Sequence, residues 1–431
     1  MKLKSLLYGT AAVLVSTGAS TGAMAADLPV AAEPVEYVRV CDAFGKGFFY
    51  IPGTDTCLKV GGRVRVEAYI KNTENDNDDQ YETRARGYVN LDARNETDYG
   101  LLRTYVALYW THGSGGNSPT NYDNTYSTGV TLDDAFISLS NDSGQWTFGR
   151  TSSFFDFFGG YSYQAEFDST QDATLFAYTF NIGNGVSGTL SLEDPYTDGR
   201  KISDGGFFYG GQDGPDVVAN LRVDQGWGSA QIMGALRNIQ PKQGPFSFVS
   251  GTTTATATTV VADVGDEWGW AIGAGFEVAI PGVPVEFAMQ AGYTEGMVAY
   301  VTGAPHGLFG LYDAVALPVV AGFSTELTEA WQITGGLNIA AAPNVSIWVD
   351  GYYGDVDQAG SLLFAGFNLF DYDYWGTAVG AEWKPGGGLS IGAEVAYSEL
   401  SPGGVVFPVG APAYLVDTDD WTARIRFQRT F

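Results

Sequence analysis

Along much of this chain, hydrophobic and polar residues alternate with a period of two. The first clear case is 58–70. Leu58, Val60, Gly62, Val64, Val66, Ala68 and Ile70 share one parity, and Lys59, Gly61, Arg63, Arg65, Glu67 and Tyr69 share the other. An extended strand turns successive side chains to opposite faces, so the segment predicts a strand with one aliphatic and one charged face. Two environments suit such a strand. In a soluble sheet the aliphatic face meets a core and the charged face meets water. In a transmembrane barrel the aliphatic face meets lipid and the charged face lines a wet lumen. Taken alone, the segment fits the soluble sheet better.

The spacing of later segments reverses that preference. Strand-like stretches run roughly from Glu82 to Asn95, Leu101 to Trp110, Leu132 to Ser140 and Gln145 to Thr151. Two more lie near Thr174 to Asn181 and Ser187 to Asp194. In the second of these, Ala85, Gly87, Val89, Leu91 and Ala93 oppose Arg84, Arg86, Tyr88, Asn90, Asp92 and Arg94. Connections alternate between long and short. Short turns sit at Glu96 to Gly100, Asn141 to Gly144, Gly183 to Gly185, Gln225 to Gly228, Pro281 to Pro284, Ala342 to Asn344 and Lys384 to Gly388. Long, polar or glycine-rich stretches separate the hairpins that these turns close. The tally is about sixteen strands, eight long connections and seven short ones. Strict alternation of this kind is expected of an up-and-down barrel whose two ends face different compartments. A soluble sandwich has no reason to sort its loops by length. Leu311 to Leu327 is apolar enough to form a further strand and bears on the count.

Aromatic placement agrees. Nine of the ten tryptophans (110, 146, 227, 268, 270, 331, 375, 383 and 421) fall near strand ends, where interfacial girdles form, and Trp348 falls inside a strand. The last strand, Trp421 to Phe431, carries Trp421, Ala423, Ile425 and Phe427 in the parity of the terminal Phe431. Arg429 shares that parity and is expected at an interface, where its stem can snorkel.

Composition narrows the classes. Glycine (58) and aromatics (Tyr 25, Phe 26, Trp 10) are abundant, as suits strands and tight turns. After the N-terminus no run of eighteen apolar residues occurs, so no membrane-spanning helix is expected in the mature chain. Lys2 and Lys4, the apolar stretch Leu6 to Val15 and Ala23-Met24-Ala25 read as a secretory signal over 1–25, leaving Ala26 as the first mature residue. Without the signal there remain 20 Lys and Arg against 49 Asp and Glu, a net charge of −29. Phosphate would repel such a chain, which excludes nucleic acid as a partner. Residues 26–56 read as a periplasmic lead-in, and 57–431 as the barrel. Cys41 and Cys57, the only cysteines, read in an exported chain as a disulfide tying that lead-in to the first strand.

Cations cluster where function is expected. Eight of the twenty lie between Lys59 and Arg103. Arg63 and Arg65 share the inward face of the first strand, Arg84 and Arg86 that of the second, and Arg424 and Arg426 the polar face of the last. Closing a barrel pairs its last strand with its first, so these six arginines merge into one basic wall. The long connection after Thr151 reads Phe154-Phe155-Asp156-Phe157-Phe158-Gly159-Gly160-Tyr161, followed by Glu166 and Asp168. It is too aromatic for a free external loop. Folded into the lumen, it would present Asp156, Glu166 and Asp168 to the arginines across a narrow eyelet. A transverse field of that kind sorts ions and orients dipoles. The alternative is a loop that caps the barrel or meets another subunit.

Cys41-Asp42-Ala43-Phe44-Gly45, Phe48-Phe49-Tyr50-Ile51-Pro52-Gly53-Thr54, Cys57-Leu58-Lys59-Val60-Gly61-Gly62, Phe148-Gly149-Arg150 and the ending Arg426-Phe427-Gln428-Arg429-Thr430-Phe431 together resemble the alphaproteobacterial porin family. The resemblance covers essentially the whole mature chain, except for 240–327, which carries no such motif. It implies a sixteen-stranded, homotrimeric outer-membrane porin for passive diffusion of small hydrophilic solutes and ions, with the third loop in the pore. The expected fold is therefore a closed antiparallel transmembrane β-barrel. The alternatives are a substrate-specific channel or, in a different class, a barrel-type surface adhesin or enzyme.

Other chemistry is weak. Gly18-Ala19-Ser20-Thr21-Gly22 matches a hydrolase elbow but lies in the signal. His112 and His306 are isolated in predicted loops, so neither catalysis nor a metal site is expected. Glu74, Asp76, Asp78 and Asp79 form an acidic loop in which Tyr81 stands where a calcium loop needs glycine. A solvated loop is the plainer reading, and divalent bridging to lipopolysaccharide the sharper one. No cofactor or energy source is implied.

Overall fold

The computed structural model describes residues 39–72, 81–113, 130–163, 169–195, 200, 209–211, 214–241, 248–250, 253–255, 267–302, 313–319, 322–359, 371–402 and 418–431. Among these, sixteen strands close a barrel. They are β1 (Cys57–Asn72), β2 (Tyr81–Thr97), β3 (Gly100–Gly113), β4 (Thr131–Asn141), β5 (Gly144–Ser152), β6 (Asp172–Gly183), β7 (Val186–Asp194) and β8 (Asp216–Gln225). The second half comprises β9 (Gly228–Pro241), β10 (Glu267–Ala279), β11 (Val285–Glu295), β12 (Glu329–Ala342), β13 (Val345–Asp357), β14 (Tyr372–Gly386), β15 (Leu389–Pro402) and β16 (Thr418–Thr430). Each strand pairs antiparallel with the next, and β16 returns to pair with β1 from Arg63↔Thr430 to Asn72↔Trp421. The shortest strands have 9 residues and the longest 17, so each is long enough to cross a hydrocarbon core at a tilt.

Alternation decides which way each side chain turns. On β1, Val64 is 52% exposed while Glu67 is 1% exposed, and the same division runs round the barrel. Val66, Ile70, Ile137, Phe176, Ile232, Ile272, Val349, Val395 and Phe427 point outward. The nine strand-end tryptophans are all exposed, whereas Trp348 is buried on the inner face. Its sequence position was the anomaly, and its indole accounts for it: Nε1 donates to Glu394 Oε2 at 2.9 Å, inside the barrel. Arg429 is exposed on the outer face, in the parity of Phe427.

Short turns follow local chemistry. Between β6 and β7 the connection is Asn184-Gly185, with φ of 53° and 73°. Both values lie in the left-handed region, which a two-residue turn of this hand requires and which Asn-Gly supplies. The ambiguous stretch before β12 is not a barrel strand. Ala314–Val319 and Gly322–Leu327 form a separate two-stranded hairpin within the connection between β11 and β12, so the count of sixteen stands. At the other end of the chain, the Cys41–Cys57 disulfide joins the lead-in to β1 across a Cα separation of 6.0 Å. Phe48 is buried with both cysteines in one cluster, and the Arg94 guanidinium lies 4.9 Å from the centre of its ring.

No helix among the described residues is long and apolar enough to cross a membrane, and none needs to be in a barrel. The proposed acidic loop after β1 (73–80) and His306 lie outside the described residues.

Candidate functional site

Register builds the basic wall. Opposite Glu67 stand Arg84 on β2 and Arg426 on β16. One residue pair further along, Arg65 is flanked by Arg86 and Gln428, and Arg63 by Tyr88 and Thr430. Residues from both ends of the chain therefore meet on three adjacent strands, as closure requires. Six guanidinium groups in so small an area repel one another unless acids or water screen them.

Glu67 is the acid at their centre. Its Oε2 accepts from Arg84 Nε at 2.8 Å and Nη2 at 2.5 Å, and also from the Tyr69 hydroxyl at 3.0 Å. Its Oε1 accepts from Arg426 Nε at 2.6 Å and lies 3.9 Å from Arg424 Nη1. Glu67 was legible as a member of the inward parity of β1, but its neighbours across the seam were not. Neutral groups also meet these arginines. Arg65 Nε donates to Gln428 Oε1 at 2.9 Å, and Arg86 Nε donates to Thr111 Oγ1 at 2.8 Å. Arg63 lies over the Tyr88 ring, 3.8 Å from its centre, and Arg426 lies 3.6 Å from the centre of the Tyr163 ring.

The aromatic connection between β5 and β6 is held along the polar inner faces of many strands. The Phe154 amide donates to Glu193 on β7, and the amides of Phe157 and Phe158 both donate to Gln290 Oε1 on β11. The Ser162 amide donates to Asp350 on β13 at 2.5 Å, and the Tyr163 amide to Glu394 on β15 at 2.6 Å. Arg424 Nη1 on β16 then donates to the Tyr163 carbonyl at 2.6 Å. Charge-assisted bonds of this kind are the stronger sort, and they order a segment that has no secondary structure of its own. Glycines on the facing strands leave room for its rings. A Cβ at Gly275 would meet Phe157, and one at Gly392 would meet the Tyr163 hydroxyl. The Tyr161 and Tyr163 hydroxyls donate to Glu277 and Glu382, each at 3.2 Å. Burial first, and then these carboxylates, push both phenols above their ordinary range.

Of the three acids expected to face the arginines, the structure places one elsewhere. Asp156 is buried and pairs with Arg200 Nη2 at 2.5 Å, and its Oδ2 accepts from the Gln171 amide at 2.9 Å. The physical reason is that a carboxylate sealed beneath its own aromatic neighbours needs a partner at once, and Arg200 from the next long connection supplies it. Burial works against the Arg200 charge, but Asp156 outweighs it and the guanidinium sits above its ordinary value. Glu166 and Asp168 lie outside the described residues.

A second buried network adjoins this one. Arg237 on β9 pairs with Asp216 on β8 at 2.7 Å and with Asp313 at 2.5 Å. The Tyr300 hydroxyl donates to Asp216 Oδ2 at 2.7 Å, and Arg200 Nη1 donates to the Ala299 carbonyl at 2.7 Å. Through these bonds a 3₁₀ turn at Val298–Tyr300 packs against Phe155. Burial raises the Asp313 carboxyl to about 6, against the opposing pull of Arg237. Nothing in the sequence spacing pointed to Arg200 or Asp313, because they lie in long connections without periodicity, and Arg237 shares the inward parity of β9 without any sign of its partners. Among the described residues no cluster of His, Cys, Asp and Glu is arranged to hold a metal ion.

A family model described as the porin subfamily matches residues 27–414. Porin Omp2b of Brucella suis is 38% identical over 250 residues, which cover 53% of this chain and 64% of that protein. Omp2b of Brucella abortus (strain 2308) is 38% identical over 245 residues with the same coverage, so the alignments span less than two thirds of these relatives. Among solved structures, the outer membrane channel DcaP of Acinetobacter baumannii matches with a TM-score of 0.66 at 16% identity, covering 89% of this chain and 99% of that one. The anion-selective porin from Comamonas acidovorans matches with a TM-score of 0.51 at 12% identity, covering 87% of this chain and 100% of that one. Identities so low bear on fold alone, and the fold in both is the barrel described above. With the family match spanning nearly the whole chain, this multi-pass outer-membrane barrel belongs to the porin subfamily.

Proposed function

We propose that the chain forms a passive, water-filled diffusion channel for small hydrophilic solutes and ions. The observation that carries this reading is the polar inner face of a closed barrel, where six arginines converge beside a segment strung across the strands. Charged groups at that density are tolerated where water reaches them, and a through-going aqueous lumen supplies it. In this reading the connection over 153–171 folds into the lumen and sets its narrowest point. Arg63, Arg65, Arg84, Arg86, Arg424 and Arg426 form one side of the eyelet, and Glu166 and Asp168 face them. Asp156 acts from behind, by fixing the root of the segment through Arg200.

The rest of the proposal follows the family. Residues 1–25 are an export signal, 26–56 a periplasmic lead-in and 57–431 the barrel. The chain has no enzymatic step and works without a cofactor. It assembles as a homotrimer among outer-membrane lipids and lipopolysaccharide. Planar-bilayer recording tests the central claim: purified protein should give steady open steps that scale with bulk conductivity. An adhesin or a barrel enzyme would give none, and a substrate-specific channel would instead show saturable uptake. N-terminal sequencing of the mature protein should begin at Ala26.

A further inference from the structure

The arginines of the wall differ in what they can still bind, and the difference points to a ligand. Arg84, Arg424 and Arg426 gather round Glu67, which has a side chain fully withdrawn from solvent. Arg63 and Arg65 have no carboxylate partner among the described residues, and both remain partly exposed. Each keeps a neutral neighbour that fixes its direction. Arg63 lies on the Tyr88 ring, and Arg65 gives only its Nε to Gln428, which leaves the two terminal nitrogens for another acceptor. The Tyr88 ring centre is 3.8 Å from the Arg63 guanidinium carbon and 5.9 Å from those of Arg65 and Arg86. Three cations thus stand round one aromatic ring.

Inward carboxylates elsewhere are not equivalent. Glu193, Asp350 and Glu394 are buried and accept the amides of Phe154, Ser162 and Tyr163. A passing cation cannot coordinate them without first displacing that segment. A passing anion meets two guanidinium forks already aimed and incompletely bonded, and planar forks match oxyanions two bonds at a time.

We propose that Arg63 and Arg65, with Arg86 adding charge, form a binding site for small solutes bearing two or more oxyanion charges, either phosphates or carboxylates. This deepens the channel reading and rests on it, since the site would retain such solutes transiently on their way through. While held there, such an anion lowers the chloride current without closing the channel.

The test is single-channel recording in 0.1 M KCl with inorganic pyrophosphate as the probe. Pyrophosphate should reduce the potassium chloride current with a measurable midpoint, and 1 M KCl should weaken the block, as screening requires. Arg63→Gln with Arg65→Gln should raise that midpoint at least about fivefold, given two lost charges in a wet site, and leave step frequency unaltered. Arg103→Gln, which removes a partner of Asp92 on β3 rather than either of these two groups, should leave the midpoint in place. Steady wild-type steps that pyrophosphate does not touch would overturn the site and spare the channel. The absence of any steps would overturn both. If the double variant fails to insert, Arg63→Gln alone decides, because the Arg63 guanidinium rests on the Tyr88 ring of β2 and not on β16: an unchanged midpoint in it refutes the site.

Discussion

Glu67→Gln is the most telling perturbation of this barrel. The change keeps the shape of the side chain and removes one charge at the point where β1, β2 and β16 meet. The wild-type carboxylate accepts from Arg84 at 2.8 and 2.5 Å and from Arg426 at 2.6 Å, with Arg424 at 3.9 Å. An amide offers one acceptor oxygen and turns an NH₂ toward a guanidinium. One charged partnership survives as a weaker bond and another becomes a donor facing a donor. Hydrogen bonds to charged groups contribute about 1.5–3 kcal/mol each. Removing one member of a buried ion pair costs about 3–5 kcal/mol. Lumen water can rehydrate part of the freed guanidinium groups, which favours the lower end of that range. The expected loss is therefore about 3 kcal/mol of folding free energy, located at the closing seam. Reversible folding into lipid vesicles, followed by tryptophan fluorescence against urea, measures it. Asp224→Asn is the control, because its contact with Arg222 at 2.9 Å lies in solvent and is worth under about 1 kcal/mol. A Glu67→Gln loss no larger than that of the control would refute the view that this carboxylate holds the wall together. In planar bilayers the same variant should shift permeability toward anions, since the wall gains a net positive charge.

Three further outcomes are expected. Gly392→Leu should unseat the Tyr163 ring, whose hydroxyl occupies the space that the new Cβ needs, and change single-channel conductance while barrel formation persists; an unaltered conductance would separate this segment from the permeation path. The carboxyl of Asp313 lies at about 6 in the folded protein against 3.8 for an ordinary aspartate, so the folded state binds its proton more tightly. Stability from this group should therefore rise as pH falls from about 6 toward 4, by up to about 3 kcal/mol, and be absent above pH 7. Urea midpoints of wild type and Asp313→Asn should converge or cross over that window, and parallel curves would contradict the sign. Reducing Cys41–Cys57 opens a 16-residue loop and should cost the lead-in about 3 kcal/mol of chain-entropy stabilisation. Trypsin should then cut at Arg39 or Lys46 in the reduced protein only, with the barrel still intact on a gel.

Most of the fold was legible because a barrel writes its topology in one dimension. Parity assigned both faces of β1 and β2, loop lengths sorted the two ends, and every strand-end tryptophan lies exposed as expected. Closure alone then brought Arg424 and Arg426 opposite Tyr69 and Glu67, on the strand next to Arg63 and Arg65, a pairing between residues about 360 apart that needs no knowledge of side-chain packing. The apolar stretch after Leu311 misled by composition, since a two-stranded hairpin within a connection uses the same residues as a barrel strand. Side-chain partnership was the less legible part. Asp156 stands among phenylalanines in the sequence, which suggests a lumen-facing acid, but those rings exclude water and so select a buried cation for it instead.

The acids of the inner face also explain why an irregular segment can lie there at all. Residues 153–163 lack a β-partner for most of their amides, and each unpaired buried amide would cost about 1–3 kcal/mol. Strands cannot supply backbone acceptors from their faces, because their carbonyls point along the sheet to neighbouring strands. Only inward side chains remain, and a carboxylate or carboxamide is the acceptor that reaches furthest for its size. Glu193, Gln290, Asp350 and Glu394 stand on four different strands and between them accept five amides of the segment, two of them at Gln290. The wall's charge asymmetry then follows without separate design. Where the segment lies, acids are consumed as acceptors for its amides. At the seam of β1, β2 and β16, Glu67 stays free of those amides and serves instead as the counter-charge of Arg84 and Arg426.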